Sequence, residues 1–255
     1  MAACAEEVAL VTGAAKRIGR VIAERLGRAG YAVAIHCHRS RDAAEELAAS
    51  IRAAGGCAAV VHADLADAKS VGGLVRAAQA ALGPVTLLVN NASEFEPDAI
   101  DTLDLDRWER HFAVNLRAPA FLARDFAAQL PAERHGCIVN VIDQRVLKPT
   151  PQFFSYTLTK AALFTATRTL AQALAPRIRV NAVGPGPTLA SPRQDSEAFA
   201  RQSAAVPLGH GATPEDIAEA VVFLALARSV TGQMIAVDGG QHLAWETPDI
   251  AGVTE

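Results

Sequence analysis

Short runs of β-branched and aliphatic residues alternate along the chain with longer alanine-rich stretches whose apolar positions recur at helical spacing. Val8 to Thr12 reads as a strand, followed by a glycine-bearing turn and a helix through about Ala29. Gly30 then closes that helix, as glycine does where a left-handed cap is needed, and Tyr31 to His36 is the next strand. The same alternation predicts helix 41–54, strand 57–62, helix 67–82 and strand 85–90. A long helix over 106–130, strand 136–142, helix 152–174 and strand 177–183 follow. The last helix opens at Thr213-Pro214-Glu215, where threonine can cap and proline suits the first turn, and strand 233–237 completes the set. Seven strands separated by helices imply an α/β fold: a doubly wound, mainly parallel sheet with right-handed crossovers and helices on both faces.

No Pro/Gly/Ser-rich linker and no internal repeat divides the sequence, so residues 1–255 read as a single domain. The least regular stretch runs over 184–211, with prolines at 185, 187, 192 and 207. A loop of that length following a strand's carboxyl end is expected to be a substrate loop. The tail over 241–255 carries Trp245, a large apolar group in a polar segment, which is expected to dock.

Composition narrows the function classes. Half of the residues are apolar and 5% are aromatic, so Ala, Val, Leu and Ile fill the core, as suits helices packed on a parallel sheet. A net charge of -3 offers no electrostatic basis for a nucleic-acid or anionic-membrane partner. Glu6 and Glu7 interrupt the first residues, which therefore do not read as a signal peptide, and the densest apolar stretch, 220–227, is too short to span a bilayer. Cys4, Cys37, Cys57 and Cys137 form no CxxC pair and no zinc spacing; read as isolated small hydrophobes, they predict a reducing cytoplasm. His36, His38, His62 and His111 show no metal spacing either, so no metal is expected.

The first turn, Thr12-Gly-Ala-Ala-Lys-Arg-Ile-Gly19, lies between a strand and a helix, where backbone N–H groups and the positive helix end suit a pyrophosphate. That arrangement makes the sheet Rossmann-type. Arg17 stands where a middle glycine is usual. The second strand ends in His36-Cys-His-Arg-Ser40 rather than in the carboxylate that would hold a ribose 2′-hydroxyl. Arg39 is suited to a 2′-phosphate because a guanidinium fork matches phosphate oxygens, and Arg17 is expected to reach the same group. These residues favour NADP(H) over NAD(H), the alternative being two solvated surface arginines.

Thr12-Gly13…Ile18-Gly19, Asp64-Leu65, Asn90-Asn91-Ala92, Asn115, Tyr156-x-x-x-Lys160, Asn181, Pro185-Gly186 and Asp238-Gly239-Gly240, in this order, resemble the short-chain dehydrogenase/reductase family over essentially the whole chain. Within it the chain looks most like the pteridine reductases and their dihydromonapterin-reducing relatives. Arg17, the strand ending His38-Arg39-Ser40, the extension of Asn91-Ala92-Ser93 to Phe95, and Asp143 thirteen residues before Tyr156 carry that closer match. The resemblance implies that Gly13, Arg17, Ile18, His38, Arg39, Ser40, Asp64, Leu65, Asn91, Ala92, Ser93, Tyr156, Lys160, Pro185, Gly186 and Thr188 bind the cofactor. It implies that Arg17, Ser93, Phe95, Asp143 and Tyr156 bind the substrate, with Phe95 stacked on a pterin. Asn115 is implied to hold a water that extends a proton relay through Lys160. A homotetramer built partly from the helices around 106–130 and 152–174 is implied as well.

Tyr156 and Lys160 lie four apart on one predicted helix and so share a face. A neighbouring ammonium and an oxidised nicotinamide favour the phenolate, pulling tyrosine down from its ordinary value near 10. Asp143 departs from the serine that most family members keep. An ionised carboxylate repels a carbonyl oxygen but matches a ring N–H or a protonatable ring nitrogen. The expected activity is thus an NADPH-dependent reduction of a pterin-type C=N bond in a dihydropterin or dihydrofolate-like substrate. The alternatives are a carbonyl reductase or alcohol dehydrogenase acting on a ketone or 3-oxoacyl thioester, and a silent dinucleotide sensor.

Overall fold

The computed structural model describes residues 6–191 and 193–246. Its strands are β1 (Val8–Val11), β2 (Ala32–Cys37), β3 (Ala58–His62), β4 (Val85–Asn90), β5 (Gly136–Val141), β6 (Ile178–Pro185) and β7 (Met234–Val237). The helices between them are α1 (Arg17–Arg28), α2 (Arg41–Ala53), α3 (Ala68–Leu82), α4 (Leu105–Phe112), α5 (Ala118–Gln129), α6 (Phe154–Leu174), α7 (Ser196–Ala204) and α8 (Pro214–Leu226). The strands form one sheet in the order β3-β2-β1-β4-β5-β6-β7, every pair parallel.

Each strand feeds both faces of that sheet, because successive side chains alternate. Ala9, Val11, Val33 and Ile35 turn to one side, where Ile22 and Leu26 of α1, Leu47 of α2 and Ile217 and Val221 of α8 cover them. Val8, Leu10, Ala32 and Ala34 turn to the other, against Leu74 of α3 and Leu122 and Phe126 of α5. Phe126 is wholly buried, and its ring closes over Gly136, where a Cβ would stand 2.8 Å from Cζ. Gly30 sits at φ 93 directly after α1, and Thr213 and Asp216 form a reciprocal cap at the start of α8, both as expected.

The strand order reverses direction between β1 and β4, so the carboxyl ends of these two strands open a crevice. The segments expected to carry function, Gly13–Gly19 after β1 and Asn91–Phe95 after β4, leave the sheet at that point.

Four expectations need correction. The single helix over 106–130 is broken: residues Ala113–Arg117 form a π-helical turn in which Ala118 N–H donates to the Ala113 carbonyl. Pro119 is one cause, since the Asn115 carbonyl cannot receive the usual helical hydrogen bond from a residue without N–H. The helix expected from 152 begins at Phe154, because Phe153 lies in the left-handed region with φ 56. The 184–211 stretch is not all loop: β6 runs to Pro185, and Asp195 caps α7 by accepting from Ala198 N–H at 2.6 Å. Finally, Cys57 is disulfide-bonded, so among the described residues only Cys37 and Cys137 fit the reading of free buried thiols, and Cys4 lies outside them. Spacing along a sequence does not say which sulfurs the fold brings within bonding distance.

Lys148 Nζ donates to the Ala244 carbonyl in the tail, but Trp245 itself is 74% exposed and so does not dock within one chain. The rest of the tail lies outside the described residues. Among those residues no helix is long and apolar enough to cross a membrane.

Phe126 offers a direct test of how the helical layer is held. Phe126→Ala leaves a cavity between α5 and the sheet and should destabilise the protein by about 3–5 kcal/mol in urea unfolding. A loss below about 1 kcal/mol would show that the layer collapses onto the space without penalty.

Candidate active site

A cavity of about 890 Å³ occupies the crevice, lined by residues of the Gly13–Gly19 turn and of the 185–191 loop and by Asp143, Tyr156 and Lys160. That volume is large enough for a cofactor-sized ligand.

The glycine turn is built by hydrogen bonds from its neighbours. Gly13 N–H donates to His36 Nδ1 at 3.0 Å, and His36 Nε2 lies 3.1 Å from the Ala63 carbonyl. Burial lowers the His36 pKa to about 4, so the ring is neutral and its proton sits on Nε2. Asn91 Nδ2 donates to the carbonyls of Thr12 and Gly13, and Thr12 Oγ1 accepts from the N–H groups of Asn91 and Ala92. Asn91 therefore braces the turn with its side chain, whichever ligand the turn holds. Gly19 cannot be replaced freely, since a Cβ there would meet the Gly13 oxygen at 2.3 Å.

The expected 2′-phosphate group assembles differently from the sequence reading. Arg39, His38 and Ser40 do come together, around a smaller depression of about 250 Å³ beside the main cavity. The other cations there are Lys16, which the sequence reading passed over, and Arg110, which is paired with Glu94; Arg17 is not among them. Arg17, at φ 55, turns its guanidinium to the loop over the cavity and donates to the carbonyls of Leu189 and Ala190 at 3.1–3.3 Å. Ser40 precedes α2 without making a side-chain cap, so its hydroxyl remains available there. Asp64, Leu65, Ala92, Ile18, Pro185, Gly186 and Thr188 all line the main cavity. Asp64 also accepts from Ala66 N–H and approaches His38 Nε2 at 3.7 Å.

At the centre, Tyr156 Oη donates to Asp143 Oδ2 at 2.9 Å, and Asp143 Oδ1 accepts from Arg145 N–H at 2.8 Å. Burial pushes the Asp143 carboxyl above its ordinary value, against the pull of the Arg145 N–H and charge, the Tyr156 hydroxyl and the Lys160 ammonium. Tyr156 is held well above 10, first by burial and then by the Asp143 charge, while the Arg145 charge and the Ser93 hydroxyl pull it down. The protein alone thus keeps Tyr156 protonated, where the sequence reading expected its pKa to be drawn down. Lys160 is buried, its pKa lowered to about 8 by that burial and supported by the Asp143 charge. It donates to the Val141 carbonyl at 2.9 Å, which leaves two donors for a ligand.

Asn115 is fully buried, and its amide is hydrogen-bonded on both sides. Oδ1 accepts from Ser93 Oγ and Glu94 N–H, and Nδ2 donates to the Glu94 carbonyl and Thr159 Oγ1. What the side chain holds is the 93–95 segment. The π-helical turn aims it there.

Phe95 stacks on Phe153, with ring centroids 4.3 Å apart and planes 5° from parallel, and meets the Tyr156 ring edge-on at 4.7 Å. Beneath this segment lies a buried network that the sequence reading missed. Ser155 Oγ donates to Asp98, His111 Nδ1 is 2.6 Å from Ser155 Oγ, and Glu96 N–H donates to His111 Nε2 at 3.1 Å. These three residues share no diagnostic spacing, so nothing in the sequence signals them. Because the Ser155 hydroxyl points its proton at Asp98, the network anchors residues 94–98 to α4 and α6 and is no nucleophile. Phe153 and Arg193 were also missed. Arg193 pins the overlying loop by donating to the Phe95 carbonyl and to Glu96.

Comparisons with known proteins agree with this geometry. The enoyl-(acyl carrier protein) reductase family model matches residues 13–242. A solved structure of the FolM alternative dihydrofolate reductase 1 from Brucella canis, complexed with NADP, is 55% identical, with a TM-score of 0.94 over 97% of this chain and 98% of that one. The 3beta-hydroxysteroid dehydrogenase 1 of Eggerthella lenta is 36% identical over 92% of this chain and 93% of its own length. A 3-oxoacyl-[acyl-carrier-protein] reductase of Staphylococcus aureus is 32% identical over 92% of this chain and 98% of its own. With the glycine turn, the Tyr156–Lys160 pair and a sheet of this order in place, the chain belongs to the short-chain dehydrogenase/reductase family and is an oxidoreductase.

Proposed function

We propose that this enzyme uses NADPH to reduce the C=N bond of a dihydropterin or dihydrofolate-like ring. The observation that carries the reading is the Tyr156–Asp143 hydrogen bond at 2.9 Å. A carbonyl substrate needs two hydrogen-bond donors converging on its oxygen. Here one of the two groups is a carboxyl, and the phenol already donates to it. A flat heterocycle with ring N–H groups and a protonatable nitrogen suits the pair far better: ionised Asp143 accepts from the ring, and the proton shared with Tyr156 Oη goes to the ring nitrogen. Bound NADPH supplies the hydride for the ring carbon. Lys160 keeps its charge beside the pair and offers its remaining donors to the cofactor, while Phe95 provides an aromatic wall for the ring. The 55% identity to a structure named as an alternative dihydrofolate reductase supports the same substrate class. Reduction of a ketone or 3-oxoacyl thioester remains the second reading, favoured by the names of the 32–36% identical relatives.

For the cofactor, residues fit a 2′-phosphate: Arg39 and Lys16 flank the smaller depression and Ser40 adds a hydroxyl. The proposed assembly is a homotetramer through the long helices, consistent with exposed Phe121 on α5 and Leu158 on α6. A monomer in sedimentation velocity would remove that part.

Two experiments test the reading. Arg39→Asp should weaken NADPH binding about ten- to a hundredfold while leaving NADH binding nearly unchanged, as expected for loss of a charge-assisted contact. Equal affinity of the native protein for both cofactors would contradict the assignment. NADPH oxidation followed against dihydropterins, dihydrofolate and ketones should show turnover with the pterins. Asp143→Ser should abolish most of that turnover and keep or raise turnover of ketones. A native preference for ketones, or pterin reduction untouched in Asp143→Ser, would overturn the substrate class and leave the family assignment intact.

A further inference from the structure

We infer that Arg145 receives an acidic substituent of the substrate, so that the site selects a reducible flat ring carrying a carboxylate beyond a second flat group. This rests on the pterin reading above and names which members of that class the site prefers.

Four arginines line the main cavity: Arg17, Arg110, Arg145 and Arg193. Three of them are occupied. Arg110 pairs with Glu94 through Nε and Nη2 at 2.8 and 2.6 Å. Arg193 pairs with Glu96 and the Phe95 carbonyl. Arg17 is turned to the carbonyls of Leu189 and Ala190. Arg145 alone keeps most of its guanidinium unspent: Nη1 donates to Thr150 Oγ1 at 3.0 Å, and among the described residues no ion pair joins it to a carboxylate. Its attraction to Asp143 runs through its backbone N–H and through charge at a distance.

Its position gives the unspent donors a purpose. The guanidinium lies 4.9 Å from the Phe153 ring centroid and 5.9 Å from that of Phe95. Phe95 in turn touches the Tyr156 ring. One aromatic ring therefore separates the reacting tyrosine from the Arg145 cation. A substrate whose reducible ring meets Tyr156 and Asp143 and extends along the Phe95–Phe153 wall brings its far end to Arg145. A guanidinium offers several parallel N–H donors there, the arrangement that a carboxylate fills in bidentate fashion. Phe153 contributes to this wall from a left-handed backbone conformation, a strained position of the kind retained where a site needs it.

The test compares 7,8-dihydrofolate, which carries glutamyl carboxylates, with 7,8-dihydrobiopterin, which carries none. Steady-state kcat and KM are measured with saturating NADPH for the native enzyme, Arg145→Gln and Arg145→Lys. Any effect of Arg145 on Tyr156 and Asp143 acts on both substrates and cancels in the ratio of their kcat/KM values. Arg145→Gln should lower the dihydrofolate-to-dihydrobiopterin ratio at least about tenfold, chiefly through the dihydrofolate KM, as loss of a charge-assisted contact implies. Arg145→Lys should recover part of the ratio. An unchanged ratio in Arg145→Gln overturns the inference while leaving the pterin reading standing. A native enzyme that reduces neither compound overturns the pterin reading itself, and this inference with it. Unfolding temperatures of both variants identify a general loss of structure, and the lysine variant, which keeps the charge, then decides.

Discussion

Asp143, Tyr156 and Lys160 sit within hydrogen-bonding or charge range of one another on the wall of the cavity, the tyrosine and lysine buried and the aspartate half-buried. Burial penalises each charged form, so it raises the carboxyl and the phenol and lowers the ammonium. The three shifts converge: acid, phenol and amine are brought closer to neutrality than any would be in water. The cluster still holds together because Asp143 and Lys160 offset one another and the phenol donates to the carboxylate. Everything else in the site serves to keep that group in register. Strand β5 delivers Asp143, helix α6 delivers Tyr156 and Lys160 one turn apart, and the Val141 carbonyl fixes the amine. A proton shared by such a pair moves on small changes in what faces it, the property that the proposed reduction of a C=N bond requires.

Departures from regular structure concentrate around this cluster. Arg17 and Phe153 are the non-glycine residues with left-handed φ among the described ones, and both line the cavity. The π-helical turn sits where Asn115 must reach the 93–95 segment. Gln144, beside Asp143, is buried with an Oε1 that has no hydrogen-bond partner among the described residues. Each such feature disfavours the folded state by roughly 1–3 kcal/mol. They are tolerated because the parallel sheet behind them packs on both faces and over-determines where the loops begin.

The sheet, its seven strands and the glycine turn were legible from the sequence because hydrophobic period and chain punctuation report them directly. So was the Tyr156–Lys160 pair, whose spacing is local. What escaped was set by tertiary contacts. Arg17 looked like a phosphate ligand because it lies in the turn, yet its guanidinium is drawn to carbonyls 172 and 173 residues away. The break at Asn115 needed two facts at once: a proline four residues on, and loop partners for the amide. The Asp98–Ser155–His111 network joins three segments without any sequence pattern. The Cys57 disulfide likewise depends on where the fold carries the sulfurs. Asp143 was readable only because its place thirteen residues before Tyr156 marked it against a family pattern; its hydrogen bond to that tyrosine comes from geometry alone.

The loop over the cavity joins the two halves of the crevice. From the cofactor side Arg17, rooted in the glycine turn, holds the carbonyls at 189 and 190. From the substrate side Arg193, rooted in the loop, holds Phe95 and Glu96. Residues 93–96 are themselves fixed by Asn115 and His111, and the glycine turn by Asn91 and His36. Both arginine contacts use exposed, flexible side chains against carbonyls and a surface carboxylate, interactions weak enough to break and remake on ligand entry. Of the anchors beneath them, His36, His111 and Asn115 are buried and Asn91 is half-buried. The loop's position therefore depends on the glycine turn and the Phe95 segment being in place together.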